Sequence, residues 1–322
     1  MSRWEIASGK GGQSGRPVPG NKTGPVRFQH EGARLVASDS VGIGDNDYEY
    51  TANWTEFLHD AEHAEILPDW QQNDGHLPGS IHGDPEFTGT DCYDDALRLL
   101  KYGHPDGRSK MAESVEWAQA ITRERPAPSW SHSVSGAMPD VPVYLSGEPE
   151  HMLMSEGDEG QGVMPIVSVV VNVVAACSVN SDRIRRRGAA LVALINSIET
   201  SGQRVELIAA SRAGLRKERG KTASYLITVK EPNEALDLDR VAFTLAHPSM
   251  LRRILFRLEE ITLPKREPSY GYPRDYPEAA FPAGTMYVPK IVTSDASTQE
   301  VAVSEMQELW QGATRKWQAA DD

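Results

Sequence analysis

Cysteine is scarce in this chain of 322 residues, which contains only Cys92 and Cys177. Two cysteines cannot build the disulfide framework of small secreted domains, and no C-x-x-C pair is present to bind a structural zinc ion. Long apolar runs are also missing, since no stretch approaches the ~20 apolar residues of a membrane span and the N-terminus has no secretory h-region. We therefore expect a soluble, cytoplasmic protein that does not associate with a membrane.

Positive charge is in short supply as well. The chain has 33 Lys and Arg residues against 46 Asp and Glu residues, a formal net charge of −13. Such a charge opposes nonspecific attraction to DNA, RNA or anionic lipid unless basic residues cluster locally. The composition therefore argues against general nucleic-acid binding and favours a protein as the partner.

The length exceeds the ~100–200 residues that are typical of one domain. Stretches rich in Pro and Gly nevertheless favour a single main core with appendages over two equal domains. We predict a flexible N-terminal arm over residues 1–50, a helical and loop-rich region over 51–162 that packs on the core, and an α/β core domain over 163–322.

Three amphipathic helices are predicted in the region before the core. Asn53 can cap the first helix, and Gly103 ends the second. An apolar β-branched composition also predicts one short strand. These elements are helices at about 54–64, 90–103 and 107–122 and a strand at Val141 to Leu145.

The segment from Pro165 to Glu231 reads as a β-α-β unit with a returning strand. The nearly unbroken β-branched run from Ile166 to Val174 is typical of a central strand covered on both faces. Ser181 can cap the helix that follows, and Gly202 ends it. The link between the next two strands, Val205 to Ala210 and Ala223 to Val229, is too short for a helical crossover, which favours an antiparallel return. The predicted fold class is α/β, with three layers and a mixed, mainly parallel sheet.

The remaining chain adds helices, one strand and a loop. We predict two helices over Leu238 to Leu258 that are broken at Pro248, a strand at Met286 to Val292 and a helix over Thr298 to Gln318. The intervening segment 268–282 is rich in Tyr and Pro. It either covers a sheet edge or presents aromatic anchors to a partner.

The order strand, helix, strand, returning strand and helix over about 165–260 resembles the von Willebrand factor A-like fold. The resemblance implies that the third strand runs antiparallel at an edge of the sheet. In that family the first strand ends in an Asp-x-Ser-x-Ser motif that binds a divalent ion. A reasonable register places Asn172, Val174 and Ala176 at those positions, so all three metal-binding side chains are absent. The resemblance therefore implies the fold without the metal, and we expect no cofactor.

Four arginines lie at the start of the helix after this strand, against a single Asp182. Cations at a helix N-terminus oppose the macrodipole by ~0.3–1 kcal/mol each if they are unpaired. A bound anion or acidic partner would remove that conflict; alternatively, the arginines are solvated or paired with carboxylates. The predicted anion- or partner-binding residues are Arg183, Arg185, Arg186, Arg187, Asn172 and Ser178.

Short motifs also suggest a genomic setting. The runs Phe87-Thr88-Gly89-Thr90, Asp95-Ala96-Leu97, Lys101-Tyr102-Gly103 and Arg187-Gly188 resemble an uncharacterised family of tailed-phage and prophage proteins. The resemblance implies a phage or prophage origin and no particular activity. The missing metal triad and the Arg-rich helix start favour a noncatalytic binding or assembly protein. Its partner would be a virion or host protein, and the chain itself could be virion-associated.

An enzymatic alternative rests on the run from His59 to His63, which matches H-x-x-E-H. In that pattern two histidines one helical turn apart bind Zn²⁺, and the glutamate, here Glu62, activates water. The third ligand is not assigned by the sequence. The alternative function is therefore a zinc-dependent hydrolase, unless these residues only form the wet side of an amphipathic helix.

Cys177 follows the central strand and has two interpretations. It could act as a nucleophile with His247 as its base, but a buried, small hydrophobic residue is the more common role of a lone cysteine in this position.

Overall fold

The structure is a computed structural model. It describes residues 26–28, 48–64, 78–104, 130–136, 138–155, 166–215, 220–263, 272–277, 280–282 and 284–321. The predicted helix at about 107–122 lies outside the described residues.

Nine strands and eight α-helices are numbered here within the described residues. The strands are β1 (Val26–Phe28), β2 (Tyr48–Asn53), β3 (Trp130–Ser133), β4 (Met138–Pro139), β5 (Met152–Ser155), β6 (Ile166–Asn172), β7 (Arg204–Gly214), β8 (Thr222–Lys230) and β9 (Met286–Val288). The helices are α1 (Trp54–Glu62), α2 (Pro85–Thr88), α3 (Tyr93–Tyr102), α4 (Val141–Leu145), α5 (Ser181–Thr200), α6 (Leu238–Ala246), α7 (Phe256–Thr262) and α8 (Gln299–Asp321), with a π-helical segment at Met250–Leu255.

A six-stranded sheet in the order β1-β2-β8-β7-β6-β9 forms the centre of the fold. Strand β6 pairs in parallel with β7 and β9, strand β8 pairs in parallel with β2, and β1 continues this direction. Only the β7–β8 pairing is antiparallel within the described part of this sheet. The α/β class with a mixed, mainly parallel sheet is thus confirmed, as is the antiparallel return of the third core strand.

The expected edge position of that third strand is wrong. Strand β2 pairs in parallel with β8 along its whole length, from Tyr48 opposite Ala223 to Asn53 opposite Thr228. The pairing is favoured because Tyr50 is buried on the same face as Tyr225, with ring centroids 5.6 Å apart. The central sheet therefore also uses residues that precede the predicted core domain.

The two faces of the sheet are covered differently. On one face, alternate residues such as Val169, Leu207 and Ile227 pack in the main core with helices α1, α3, α5, α6, α7 and α8. On the other face, Val170 packs in a smaller cluster with Tyr276. The described part of the Tyr- and Pro-rich segment thus covers this face of the sheet. It also covers an edge, because Gly214 N donates to the main-chain oxygen of Tyr272 at 2.9 Å where β7 extends beyond β6.

Helix α5 is the central helix of the main core, as the apolar stripe predicted. Its Gly188 lies against α6 so closely that a Cβ atom there would be 2.2 Å from Ala246 Cα and 2.3 Å from Leu245 O. The side chain of Ser181 does not cap α5. Asn180 is the N-cap and accepts from Arg183 N at 3.0 Å, because the Ser181 hydroxyl donates instead to the main-chain oxygens of Glu86 and Phe87.

Val141 to Leu145 forms helix α4, so the prediction of a strand is wrong. Asp140 caps this helix by accepting from Val143 N, and Pro142 occupies the first turn, where its missing N–H costs no hydrogen bond. These local signals outweigh the β-branched composition.

The predicted break at Pro248 is confirmed. Helix α6 ends at Ala246, and a π-helical segment and helix α7 continue the chain. No helix among the described residues is long and apolar enough to cross a membrane.

Candidate functional site: the start of helix α5

The start of helix α5 lies beyond the carboxyl ends of strands β6, β7 and β9, which run in the same direction. The chain leaves β6 at Asn172 and enters the helix at Ser181. A β-bridge between Ala175 and Ile291 connects the loop between β6 and α5 to the chain that follows β9. Open α/β sheets commonly bind ligands at this edge.

A depression of about 290 Å³ lies at the start of α5. The β6–α5 loop, the first turn of α5 and the segment around α2 form its walls. It is lined by Asp84, Glu86, Phe87, Cys177, Ser178, Val179, Asn180, Ser181, Asp182 and Arg185, and is called the α5 depression below.

The charge of the α5 depression is negative. Asp84, Glu86 and Asp182 contribute carboxylates that are exposed, whereas Arg185 contributes the one guanidinium of the lining. Arg185 Nη1 is 2.9 Å from Asp182 Oδ1, so this cation already has a partner in the depression. The chemistry of the lining suits a positively charged group better than an anion.

Two of the predicted anion-binding arginines contact the loop that precedes helix α8. Arg183 Nη1 donates to the main-chain oxygen of Asp295 at 2.7 Å, and Arg186 Nε donates to that of Ala296 at 2.9 Å. Ala296 has a φ of 45°, which is unusual for a residue other than glycine. Its N–H donates to Glu305 Oε1 at 3.0 Å, so hydrogen bonds at both of its main-chain groups stabilise this conformation.

Arg187 is buried, with 6% of its surface exposed. Its guanidinium donates to the main-chain oxygen of Pro289 at 2.5 Å and to Asp295 Oδ2 at 3.3 Å. Burial lowers the pKa of Arg187, and the charge of Asp295 opposes that shift. Arg187 therefore stabilises the loop between β9 and α8, and only Arg185 of the four arginines lines the depression.

The other two predicted site residues also differ in their surroundings. Asn172 is buried, and its side chain donates to the main-chain oxygen of Arg274 at 2.8 Å and to Tyr287 Oη at 3.2 Å. Ser178 is exposed and lines the α5 depression. The structure thus brings Ser178 and Arg185 together and places Asn172 inside the fold. That these residues bind an anion stays a prediction.

Arg252 contacts residues that line the α5 depression, and the sequence patterns did not identify it. Its guanidinium donates to the main-chain oxygens of Phe87, at 2.7 Å, and Val179, and lies 3.7 Å from the centre of the Phe87 ring. It also donates to the Ser181 hydroxyl at 3.2 Å. Burial lowers the pKa of Arg252 to about 10. One buried cation therefore joins the α2 segment to the start of α5.

The neighbouring Arg253 is fully buried and holds the segment on either side of α2. Its guanidinium donates to the main-chain oxygens of Ser80, Ile81, Thr90 and Asp91 and to Thr88 Oγ1, at distances of 2.7 to 3.1 Å. The charge is thus solvated by main-chain dipoles. In the sequence, Arg252 and Arg253 lie inside an apolar helical stripe. Because buried cations must find polar partners, this pair was the signal that could have indicated a buried polar contact.

The histidines of the H-x-x-E-H run lie side by side on α1. The rings of His59 and His63 stack with centroids 4.2 Å apart, and Glu62 forms an ion pair with Lys101 at 2.8 Å. Within the described residues, no three His, Cys, Asp or Glu side chains are grouped so that they could hold a metal ion. The zinc-dependent hydrolase stays an untested prediction.

Buried polar groups lie directly beneath this run. Asp60 is fully buried, and the Tyr50 hydroxyl donates to its Oδ2 at 2.6 Å. Burial raises the pKa of Asp60 to about 8; the hydrogen bond from Tyr50 opposes this shift, and the charge of Glu56 adds to it.

The interpretation of Cys177 as a buried hydrophobic residue is wrong. Cys177 is exposed in a turn that follows β6, where it lines the α5 depression. His247 is buried and accepts from Ser249 N at 3.3 Å, and burial lowers its pKa to about 3. His247 is therefore neutral at pH 7 and packs against the rings of Phe243 and His104.

Comparisons with known proteins give one result. No curated protein and no solved structure matches the chain. The model of one protein family, the domain of unknown function DUF7192, matches residues 45–311 and so covers most of the chain. The phage origin and the von Willebrand factor A-like resemblance stay predictions. The chain belongs to the DUF7192 family.

Proposed function

We propose that this protein is a noncatalytic binding protein whose α5 depression receives a positively charged group of a protein partner. The observation that carries the proposal is that three exposed carboxylates, those of Asp84, Glu86 and Asp182, and one guanidinium line the depression. Since Arg185 is paired with Asp182, the remaining carboxylates give the lining a net negative charge. A Lys or Arg side chain is the natural ligand of such a lining.

The proposal changes the expected ligand but keeps the expected class of function. An anion or acidic partner was predicted because four arginines follow one another closely at a helix start. Three of them, Arg183, Arg186 and Arg187, donate to main-chain oxygens of the loop between β9 and α8. These three guanidinium groups therefore contact that loop. Among the charged side chains that line the depression, carboxylates outnumber guanidinium groups.

The experiment is an NMR titration of the full chain with N-acetyl-arginine methylamide and, separately, with inorganic phosphate. We expect the arginine compound to shift the amide signals of residues 84–87 and 177–185, and phosphate to leave them unchanged. The double variant Asp84→Asn, Glu86→Gln should weaken binding roughly fivefold or more, because each exposed charge pair contributes up to about 1 kcal/mol. The asparagine in this variant would still cap α2, since its side-chain oxygen can accept from the main-chain N–H of residue 86 as Asp84 does.

The matched control is Arg185→Gln, which removes the competing cation and should leave binding of the arginine compound equal or stronger. Phosphate binding that is lost in Arg185→Gln, without binding of the arginine compound, would contradict the proposal and restore the prediction of an anion site.

A further inference from the structure

A second candidate binding surface lies on the small three-stranded sheet. Strands β3, β5 and β4, in that order, and helix α4 form what we call the β3–β5 unit, residues 130–155. None of the residues 131–136 and 138–154, whose exposure the structure describes, is buried. The unit exposes Val134, Met138, Val141, Tyr144, Leu145 and Met154.

Local hydrogen bonds order this unit. Central strand β5 pairs antiparallel with both neighbours, so that Leu153 lies opposite His132 on one side and Met138 on the other. Asp140 N donates to the main-chain oxygen of His151 at 2.7 Å. Small sheets of this kind need an apolar face packed against something to be stable in water. Exposed apolar patches on otherwise folded chains commonly mark interaction sites.

Helix α4 presents the most exposed part of this surface. Leu145 is 77% exposed and Tyr144 is 59% exposed. Aromatic side chains bury a large area when they reach a partner, and each Å² of apolar surface removed from water contributes about 25 cal/mol. Burial of these side chains by a partner would therefore supply a substantial driving force for association.

The unit is acidic. Residues 130–155 contain Asp140, Glu148 and Glu150 and no Lys or Arg. A second copy of this chain would bring the same negative charges to the contact, in a protein whose formal net charge is −13. Like charges oppose self-association, whereas a basic surface would be attracted.

We propose that the β3–β5 unit is a docking element for a different protein, whose contact surface combines apolar side chains with Lys or Arg. The exposed side chains of α4 and of strands β4 and β5 provide the apolar contact, and the acidic residues provide attraction and orientation. This inference does not depend on the α5 depression, since it uses other residues and other observations.

The test uses the full chain and two synthetic helical peptides of equal length, one of Leu and Lys and one of Leu and Glu. Fluorescence anisotropy should show binding of the Leu-Lys peptide alone, with an affinity that falls as salt is added. Hydrogen exchange should show protection on binding that is concentrated in residues 138–154.

The decisive variant is Val141→Ser with Leu145→Ser, which changes no charge. Both side chains are exposed, so the free energy of unfolding should be unchanged, while the affinity for the Leu-Lys peptide should fall roughly tenfold. The matched control is Tyr102→Ser with Val301→Ser, which removes two exposed apolar side chains elsewhere and should leave the affinity unchanged.

Three results would overturn the inference. The first is equal binding of both peptides, and the second is an affinity that the Val141→Ser, Leu145→Ser variant leaves intact. The third is a dimer of the wild-type chain in sedimentation that this variant abolishes, because the occupant would then be a second copy.

Discussion

Arg187 donates to the main-chain oxygen of Pro289 at 2.5 Å, which joins the second turn of helix α5 to the chain after strand β9. Arg185, two residues earlier, instead pairs with Asp182 on the surface. Two cations in neighbouring positions therefore have different roles. Arg187 stabilises the fold at the carboxyl edge of the sheet, and Arg185 lines the depression that we propose as the binding site.

The first prediction separates these two roles. Arg187→Gln should lower the free energy of unfolding by roughly 2 kcal/mol or more, because the partly buried main-chain oxygen of Pro289 and the Asp295 carboxylate lose a charged donor. Arg185→Gln should change it by less than about 0.5 kcal/mol, since exposed ion pairs contribute little. Urea unfolding of the two variants measures both values. If both variants lost the same free energy of unfolding, Arg187 and Arg185 would not have different structural roles.

The second prediction concerns Arg253, whose guanidinium reaches five oxygens on both sides of α2. Arg253→Gln should destabilise the protein by roughly 3 kcal/mol, because two buried and three partly buried oxygens lose their charged donor. Amide exchange in residues 80–91 should accelerate by more than it does elsewhere. Arg98→Gln is the control, since Arg98 is 67% exposed and pairs with Asp95 on the surface; a comparable loss in that variant would refute the explanation.

The third prediction tests the contact between helices α5 and α6. Gly188→Ala should destabilise the protein by roughly 2 kcal/mol, because its Cβ would meet the main chain of Leu245 and Ala246, which cannot move aside without separating the helices. Gly312→Ala in α8 should instead be neutral or stabilise by up to about 1 kcal/mol, since a Cβ there meets nothing within 4 Å. Thermal unfolding compares them, and full stability of the Gly188→Ala variant would mean that the helices are farther apart.

The fourth prediction is a pH dependence that originates at Asp60. Burial raises the pKa of this carboxyl to about 8, so the folded state keeps a proton that the unfolded state releases near pH 4. The stabilising contribution is full below pH 4 and is lost as the pH rises towards 8. Stability from this group should therefore fall over that range.

Asp60→Asn removes the titration and keeps a side-chain oxygen for the Tyr50 hydroxyl. Urea unfolding at pH 5 and at pH 8 should show a loss of stability in the wild type that exceeds the loss in the variant by at least about 1 kcal/mol. Parallel pH profiles for the two proteins would mean that Asp60 does not hold its proton in the folded state.

The centre of the fold was predictable because its signals are local and agree with one another. The β-branched run of β6 and the apolar stripe of α5 each identify one element, and the short link between β7 and β8 determines their antiparallel pairing. Strand β2 carries no comparable signal. Its six residues gain their place from Tyr225 and other residues about 175 positions later, which a local pattern does not reveal.

The site was less predictable, because the roles of charged side chains depend on distant partners. The spacing from Arg183 to Arg187 showed where these residues lie on the helix. It did not show which loop accepts their hydrogen bonds.

The run from Phe87 to Thr90 also owes its place to distant partners. Its oxygens accept from Arg252, Arg253 and Ser249, and Gly89 adopts a φ of 85° where a Cβ would crowd His247. This run therefore has a structural role in the fold.

The most direct measurement is a crystal structure of the full chain grown with N-acetyl-arginine methylamide and phosphate together. We expect the guanidinium of the compound in the α5 depression, within ion-pair distance of Asp84 or Glu86. Phosphate bound at Arg185, with the arginine compound absent from the depression, would contradict the central claim that this site receives a positive charge.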